Sequence, residues 1–228
     1  MVENWTEYLP YKTPMLRILQ ELSSIYSAGE RFVIIGGFSL LVNCYLKFPC
    51  LWDIDILVPS RDNLRGIVER LPFEMHITGE MSDVDFSALS SLLRVENHWI
   101  NVDVLSKDLF PFYERTKIIL EKSIDGFTLR IPVGHPYAVL TDKVLTSRFG
   151  DALEAEDPFV YDVRHVGAIL MKDADKEELW RFLDENLSGE VRKRFFERLR
   201  KFAELSGLGY VDEEVKEKVL RRLEKIYF

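Results

Sequence analysis

The sequence predicts an α/β protein whose C-terminal part is helical. Two observations carry this prediction. Short β-branched runs alternate with helical patterns as far as about Val133, whereas residues 157–228 show helical periodicity almost throughout. A pair of glycines, Gly36 and Gly37, also separates the first β-branched run from the helical pattern that follows it. We therefore divide the chain into an α/β domain over residues 1–133 and a C-terminal helical domain over residues 134–228.

The elements of the α/β domain follow from the spacing of its apolar residues. Residues 13–27 are predicted to form a helix, because apolar residues recur there every three or four positions. Further helices are predicted over residues 38–46 and 61–71. The predicted strands cover residues 31–35, 52–58, 73–78, 89–95, 99–105, 117–124 and 127–133. Two of the strand pairs are predicted hairpins, with turns at Glu96-Asn97-His98 and Asp125-Gly126.

In the helical domain, residues 136–148 form the first predicted helix, and residues 191–202 form a strongly basic one. The aromatic and aliphatic residues of this basic helix recur at helical spacing, which favours a core position over a base-stacking role. Its charged residues are interpreted as a solvated face, with contact to an RNA backbone as the alternative. The apolar positions are Phe195, Phe196, Leu199 and Phe202.

Composition limits the classes of function. The 228 residues carry a formal net charge of -8, which argues against a generic nucleic-acid coat but not against a local basic groove. The two cysteines, Cys44 and Cys50, fit neither a redox pair nor a zinc site, so a reducing cytoplasm is expected. The first residues lack the apolar core of a signal peptide, and the longest apolar stretch is too short for a membrane span. We therefore expect a soluble protein with no membrane partner.

The strand over residues 52–58 carries two aspartates in the pattern Asp53-Ile54-Asp55. Side chains alternate between the two faces of a strand, so both carboxylates point the same way. Two carboxylates this close repel each other unless a cation lies beside them, and oxygen ligands on a rigid strand suit Mg²⁺. Taken alone, the pattern also fits a solvated strand edge.

The glycine pair upstream adds a second feature. Glycine allows a sharp turn and a close approach of phosphate to the backbone, and the helix that follows offers free N–H groups to an anion. Ser39 adds a hydroxyl donor near the start of that helix. Taken alone, this pattern also fits an ordinary glycine turn in which Ser39 caps the helix.

A third carboxylate lies on the strand over residues 99–105. There Ile100, Val102 and Val104 form an apolar face, and Asp103 points the other way. If this strand pairs beside the Asp53 strand, three carboxylates converge, which is enough to hold two divalent ions.

The segment VIIGGFSLLVNCYLKFPCLWDIDILV, with the later Asp103, resembles the nucleotidyltransferase superfamily, whose fold is that of DNA polymerase beta. The resemblance covers about residues 31–105. It implies a small mixed β-sheet flanked by helices, with Mg²⁺ or Mn²⁺ held by Asp53, Asp55 and Asp103. It also implies that Gly36, Gly37 and Ser39 bind the triphosphate of an NTP.

Within that superfamily, the chain is most similar to the abortive-infection toxin type of nucleotidyltransferases, which belong to toxin–antitoxin systems, and to their uncharacterised relatives. Those proteins carry a lysine on a later helix and a further aspartate-containing helix motif. The matching residues here are Lys143, Asp157 and Asp162, of which Lys143 and Asp162 are implied to bind the nucleotide. From the residues alone, Asp162 is either a base or a structural partner of Lys143 or Arg148.

The resulting hypothesis is a metal-dependent nucleotidyltransferase. It would transfer a nucleoside monophosphate from an NTP to a hydroxyl acceptor and release pyrophosphate. A tRNA or other RNA end, a protein side chain and a small molecule all stay open as acceptors. The first alternative is a catalytically silent nucleotide-binding or antitoxin-like module with the same fold. The second is a plain structural α/β protein, which would be the right one if Asp103 lay far from Asp53 and Asp55 in the fold.

Overall fold

The computed structural model describes residues 4–46, 53–83, 86–205 and 211–227, so Cys50 and the predicted strand start at Trp52 lie outside the described residues. The chain divides into two compact units, Met1–His135 and Pro136–Phe228. Among the described helices, none combines the length and the apolar character of a membrane span.

The first unit is built on a mixed sheet that has seven strands in the described residues. The parallel pairs are β1–β7 and β2–β5, and the other neighbours are antiparallel. The spatial order is β3-β4-β5-β2-β1-β7-β6. The strands are β1 (Val33–Ile35), β2 (Asp53–Val58), β3 (Glu74–Ser82), β4 (Phe86–Val95), β5 (His98–Lys107), β6 (Ile118–Ile124) and β7 (Phe127–Val133).

Helices connect these strands close to the predicted places. The helices of the first unit are α1 (Lys12–Ser27), α2 (Gly36–Val42), α3 (Leu64–Val68) and α4 (Phe110–Thr116), with 3-10 turns at Trp5–Tyr8 and Arg61–Asn63. Helix α2 begins at the glycine pair itself, whereas the sequence places its start at Phe38. Helix α4 was not predicted, because its sequence, FPFYERT, is too short to show helical periodicity.

The core of the first unit lies under one face of the sheet. The isoleucines that flank Asp55, Ile54 and Ile56, are fully buried, and so are Val102 and Val104 of β5. They belong to the same hydrophobic cluster as the apolar stripe of α1. Because strand side chains alternate, the aspartates between them point to the opposite face. The predicted apolar and acidic faces of both strands are therefore confirmed.

The second unit is a bundle of helices. They are α5 (Pro136–Leu145), α6 (Ser147–Ala155), α7 (Tyr161–Asp173), α8 (Glu177–Asn186), α9 (Gly189–Glu204) and α10 (Glu213–Tyr227). The helix predicted over residues 136–148 is interrupted at Thr146, whose hydroxyl accepts a hydrogen bond from Phe149 N at 3.1 Å and so caps α6. The core positions predicted in the basic helix α9 are confirmed, because its four apolar side chains are at most 2% exposed.

Candidate metal and nucleotide site

Three carboxylates converge on the face of the sheet opposite the buried isoleucines and valines. In the parallel pair β2–β5, Asp55 lies opposite Asp103, and Asp53 lies opposite Asn101. One oxygen from each of Asp53, Asp55 and Asp103 lies within 4.8 Å of the other two, and all three side chains are half-buried. The predicted pairing of the two aspartate-bearing strands is thus confirmed. The distant Asp103 that would have favoured a plain structural protein is not observed.

Asp103 is held by a neighbour on its own strand. Asn101 Nδ2 donates a hydrogen bond to Asp103 Oδ2 at 3.0 Å. The other oxygen, Oδ1, is buried and has no hydrogen-bond partner among the described residues. A buried carboxylate oxygen without a partner is costly unless a cation or a proton donor reaches it. Asn101 was not singled out from the sequence, although its position two residues before Asp103 places both side chains on one face.

Gly36 leaves the space in which the Asp55 carboxylate lies. Its φ of +68° falls in the left-handed region that favours glycine. A Cβ atom built at Gly36 would lie 2.1 Å from Asp55 Oδ2 and 3.1 Å from Asp55 Cγ. Ile35, just before this glycine, is the residue of β1 that pairs with Asp55. The glycine turn and the Asp-x-Asp strand are thus in direct contact, through Gly36 and the carboxylate of Asp55.

Ser39 closes the same turn. Its hydroxyl donates to the carbonyl oxygen of Gly36 at 3.0 Å, and the residue is fully buried. This bond lies within the first turn of α2 and is not a helix cap, because the N-cap residue is Ile35 and no side chain caps this helix, so the predicted capping role of Ser39 is not observed. Gly37 is also buried in this turn. The contacts predicted between Gly36, Gly37, Ser39 and a triphosphate stay a prediction.

The donor set around the three aspartates fits a divalent cation. All of the converging atoms are carboxylate oxygens, which are the ligands that Mg²⁺ and Mn²⁺ prefer. The buried oxygen of Asp103 supplies an acceptor in need of a positive partner. The absence of a side chain at Gly36 keeps the Asp55 carboxylate uncrowded.

In the second unit, Lys143 and Asp162 form a buried ion pair. Lys143 Nζ lies 2.9 Å from Asp162 Oδ1, and their side chains are 14% and 0% exposed. Arg148 binds the same carboxylate with two hydrogen bonds, at 3.0 Å from Nε and 2.8 Å from Nη2. Thr146 Oγ1 lies 3.0 Å from Asp162 Oδ2. One carboxylate therefore ties together α5, α6 and α7.

The environment of Asp162 decides between the two roles that the sequence left open. Burial alone would raise its pKa, but the charge of Lys143 and the hydrogen bonds from Arg148 outweigh it and hold the pKa well below the usual 3.8. So weak a base takes up a proton poorly near neutral pH. The geometry matches a structural partner of both Lys143 and Arg148. The nucleotide-binding role of Lys143 and Asp162 stays a prediction. The third residue of the predicted motif, Asp157, accepts a hydrogen bond from Phe159 N at 2.9 Å.

Among known proteins, similarity is found in structure and not in sequence. No family model matches the sequence, and no curated protein matches it. The chain superposes on JHP933 from Helicobacter pylori with a TM-score of 0.51 and 13% identity, covering 97% of this chain and 95% of that one. A second Helicobacter pylori structure, named as a "putative nucleotidyltransferase", has a TM-score of 0.45 at 13% identity and covers 94% and 95% of the two chains. The antibiotic-resistance factor ANT(2'')-Ia has a TM-score of 0.44 at 18% identity and covers 77% and 93%.

The likeness to JHP933 spans nearly the whole of both chains, so it concerns the helical part as well as the sheet. Within the sheet, the order is a strand, a glycine turn, a helix, an Asp-x-Asp strand and a parallel neighbour with a third aspartate. The chain therefore shares the fold of JHP933, a mixed sheet flanked by helices and followed by a helical C-terminal part, which is the fold class that its sequence predicts.

Proposed function

We propose that this protein is a metal-dependent nucleotidyltransferase. It transfers a nucleoside monophosphate from an NTP to a hydroxyl acceptor and releases pyrophosphate. The observation that carries the proposal is the convergence of Asp53, Asp55 and Asp103 within 4.8 Å on two parallel neighbouring strands. Catalysis of phosphoryl transfer depends mainly on positioning and on charge neutralisation, and a carboxylate cluster on a rigid sheet supports both.

Asp53, Asp55 and Asp103 are the residues that would hold Mg²⁺ or Mn²⁺. Bound ions would neutralise the triphosphate and stabilise the negative charge that develops on the leaving pyrophosphate. The register of β2 against β5 and the Asn101–Asp103 hydrogen bond keep the carboxylates in place without substrate. Such preorganisation spares the reaction the cost of arranging charged groups.

Asp103 has a further role in the proposed reaction. A carboxylate oxygen of Asp103 is proposed to accept the proton of the acceptor hydroxyl. The hydroxyl oxygen forms a bond to the α-phosphorus, and the bond from that phosphorus to the oxygen bridging to the β-phosphate breaks. The electron pair of that bond leaves with pyrophosphate. Gly36, Gly37 and Ser39 are proposed to hold the triphosphate during this exchange.

Lys143 and Asp162 are proposed to serve the nucleotide as a pair. Lys143 would contact a phosphate as a point charge. Asp162 would position it, because the carboxylate fixes the ammonium group at 2.9 Å. The proposed acceptor is an RNA end, a protein side chain or a small molecule. The proposed compartment is the cytoplasm.

The test is a transfer assay with each α-labelled NTP, a total cell extract as acceptor source, and Mg²⁺ or Mn²⁺. The wild-type protein is expected to label one class of acceptor, and Asp53→Asn and Asp103→Asn are expected to abolish the label. Asp108→Asn is the matched control, because Asp108 is an exposed carboxylate that follows β5 directly. Equal labelling by the Asp53→Asn variant would refute the catalytic assignment.

Thermal melting in the same buffers separates catalysis from binding. A ligand that binds only the folded state raises the melting temperature. We expect NTP with Mg²⁺ to stabilise the wild-type protein, and the Asp53→Asn variant to lose this effect. Stabilisation of the wild type without transfer to any acceptor would instead assign the chain as a silent nucleotide-binding module.

A further inference from the structure

Two aromatic rings stand exposed at the start of α7. Phe159 is 72% exposed and Tyr161 is 63% exposed. The guanidinium carbon of Arg164 lies 5.8 Å from the centre of the Phe159 ring and 5.9 Å from the centre of the Tyr161 ring. One cation thus lies over both rings, within the range of a cation–π contact. We call these three residues the aromatic platform.

The backbone holds the platform in position. Helix α6 ends at Glu156 with a φ of +50°, and Phe159 N donates to Asp157 Oδ1 at 2.9 Å. At the start of α7, Arg164 N donates to the carbonyl oxygen of Val160 at 3.3 Å. The two rings are therefore carried on hydrogen-bonded backbone, and little conformational freedom is lost when a ligand settles on them.

Positive charge lies beside the platform. Asp162 follows Tyr161 directly and holds both Lys143 and Arg148, whose side chain is 61% exposed. The guanidinium group of Arg164 lies next to the rings, that of Arg148 binds the residue after Tyr161, and the acidic residues Glu156 and Asp157 precede Phe159. A guanidinium group is suited to contact with a phosphate.

His165, one turn after Tyr161, responds to the same charges. It is 8% exposed, its ring centre lies 6.4 Å from that of Tyr161, and its Nδ1 atom has no hydrogen-bond partner among the described residues. Burial lowers its pKa to about 3, and the positive charges of Lys143, Arg148 and Arg164 add to this effect, whereas Asp162 opposes it. His165 is thus neutral near pH 7, mainly because it is buried.

Planar rings beside cations suit a ligand that is both planar and anionic, which is the chemistry of a nucleotide unit. A small nucleotide usually buries most of its surface in a pocket. The platform is instead an open surface, which is typical of proteins that stack the successive bases of a single strand. The openness of the rings therefore favours a polynucleotide over a free NTP.

We propose that Phe159, Tyr161 and Arg164 stack the unpaired bases of single-stranded RNA, with Arg148 contacting an adjacent phosphate. The inference rests on the proposed function in one respect, since the RNA would be the acceptor that carries the hydroxyl. Stacking tolerates any base, because every base has a π-face. The site therefore selects unpaired strands and not a particular sequence.

The test measures RNA binding without NTP and in the presence of a chelator, so that catalysis plays no part. A fluorescent, unstructured RNA of about twelve nucleotides is titrated with the wild-type protein, and its anisotropy is recorded. Phe159→Ala and Tyr161→Ala are each expected to weaken binding about tenfold. Phe159→Trp, which keeps a stacking surface, is expected to retain wild-type affinity.

Three controls make the result specific. Trp99→Ala removes an aromatic side chain that is 44% exposed in β5 of the other unit, and it is expected to leave RNA binding unchanged. Asp108→Asn, at an exposed carboxylate of the first unit, is also expected to bind RNA normally. Because binding is measured without NTP and metal, a failure of the catalytic proposal is distinguishable from a failure of this one. Circular dichroism checks that each variant is folded, as expected for changes at exposed rings.

The proposal is overturned if the wild-type protein does not bind the RNA, or if the alanine variants bind it as tightly as the wild type. It is also overturned if a duplex of the same sequence binds equally well, because paired bases offer no face for stacking. Loss of NTP affinity with unchanged RNA affinity in the Phe159→Ala variant would move the platform to the donor nucleotide and refute the RNA assignment.

Discussion

The carboxylate of Asp55 occupies the space that a side chain at Gly36 would need. A Cβ atom at Gly36 would lie 2.1 Å from Asp55 Oδ2, and the left-handed φ of +68° is itself unfavourable for other residues. Glycine is therefore needed at position 36 for two reasons: its backbone is left-handed, and a Cβ atom would collide with the Asp55 carboxylate. The two effects can be separated experimentally.

Replacing Gly36 with alanine is expected to destroy the carboxylate cluster. The variant incurs about 1–3 kcal/mol of backbone strain, and in addition it must displace Asp55. We expect the loss of metal-dependent stabilisation in thermal melts and a transfer activity reduced at least ~100-fold, because positioning of the carboxylates is lost. Gly29→Ala is the matched control, since Gly29 has a φ of +98° but no atom within 4 Å of its Cβ position. Equal behaviour of the two variants would show that strain alone is responsible.

Replacing Asn101 with leucine is expected to weaken metal binding. The change removes the hydrogen bond to Asp103 Oδ2 while keeping a side chain of similar size. Groups that orient a metal ligand typically contribute about tenfold or more in metal affinity. Calorimetric titration with Mn²⁺ measures the effect directly. Asn97→Leu, in the exposed turn between β4 and β5, serves as the control. An unchanged Mn²⁺ affinity in the Asn101→Leu variant would contradict a positioning role.

Replacing Asp162 with asparagine is expected to destabilise the second unit by about 2–4 kcal/mol at neutral pH, because it removes the buried carboxylate that Lys143 and Arg148 share. Since the folded-state pKa of Asp162 lies below 3.8, this stabilisation is complete above about pH 5 and declines as the pH falls through the ordinary aspartate range. Urea unfolding at several pH values measures it.

The double variant Lys143→Met with Asp162→Asn provides the internal control for this ion pair. It removes both charges, so it is expected to be less destabilised than Asp162→Asn alone. If the double variant is the less stable of the two, Lys143 contributes packing rather than charge.

His165 is expected to make the protein acid-sensitive. Its folded-state pKa of about 3 lies below the ordinary 6.5, so the unfolded chain takes up this proton first as the pH falls. The folded state therefore keeps its full stability with respect to His165 above pH 6.5, and it loses stability as the pH falls from 6.5 towards 3. Between pH 6 and 4, we expect the free energy of unfolding of the wild type to fall by up to about 1.4 kcal/mol per pH unit more than that of His165→Gln. His76→Gln, at an exposed histidine of β3, is the matched substitution for comparison. Parallel slopes for the wild type and His165→Gln would contradict this interpretation.

The sequence predicts the carboxylate cluster well, because two simple rules suffice. Strand alternation places Asp53, Asp55 and Asp103 opposite the buried isoleucines and valines, and the pairing of β2 with β5 brings them together. What the sequence could not supply is the rotamer of each side chain. The hydroxyl of Ser39 turns back to the carbonyl oxygen of Gly36, and only the folded turn reveals that direction.

Long-range partners were also beyond local patterns. The ion pairs of Asp162 with Lys143 and Arg148 join three helices, so periodicity within one helix identifies the residues but not the contacts. Helix α4 escaped prediction for a different reason, since seven residues show less than two clear turns of a helical pattern. The platform residues Phe159 and Tyr161 carry no sequence signal, because exposed aromatic residues look the same as buried ones in sequence.

The parallel pairing of Asp55 with Asp103 has a consequence for the order of folding. Parallel strands cannot be joined by a tight turn, and here β3 and β4 lie between β2 and β5 along the chain. The antiparallel meander of β3, β4 and β5 can assemble from local contacts, but it holds Asp103 alone. A chain growing from its N-terminus therefore gains the complete carboxylate cluster only when β5 has been synthesised and has paired with β2. A cation that binds all three carboxylates would then stabilise only the fully paired sheet and no earlier folding intermediate.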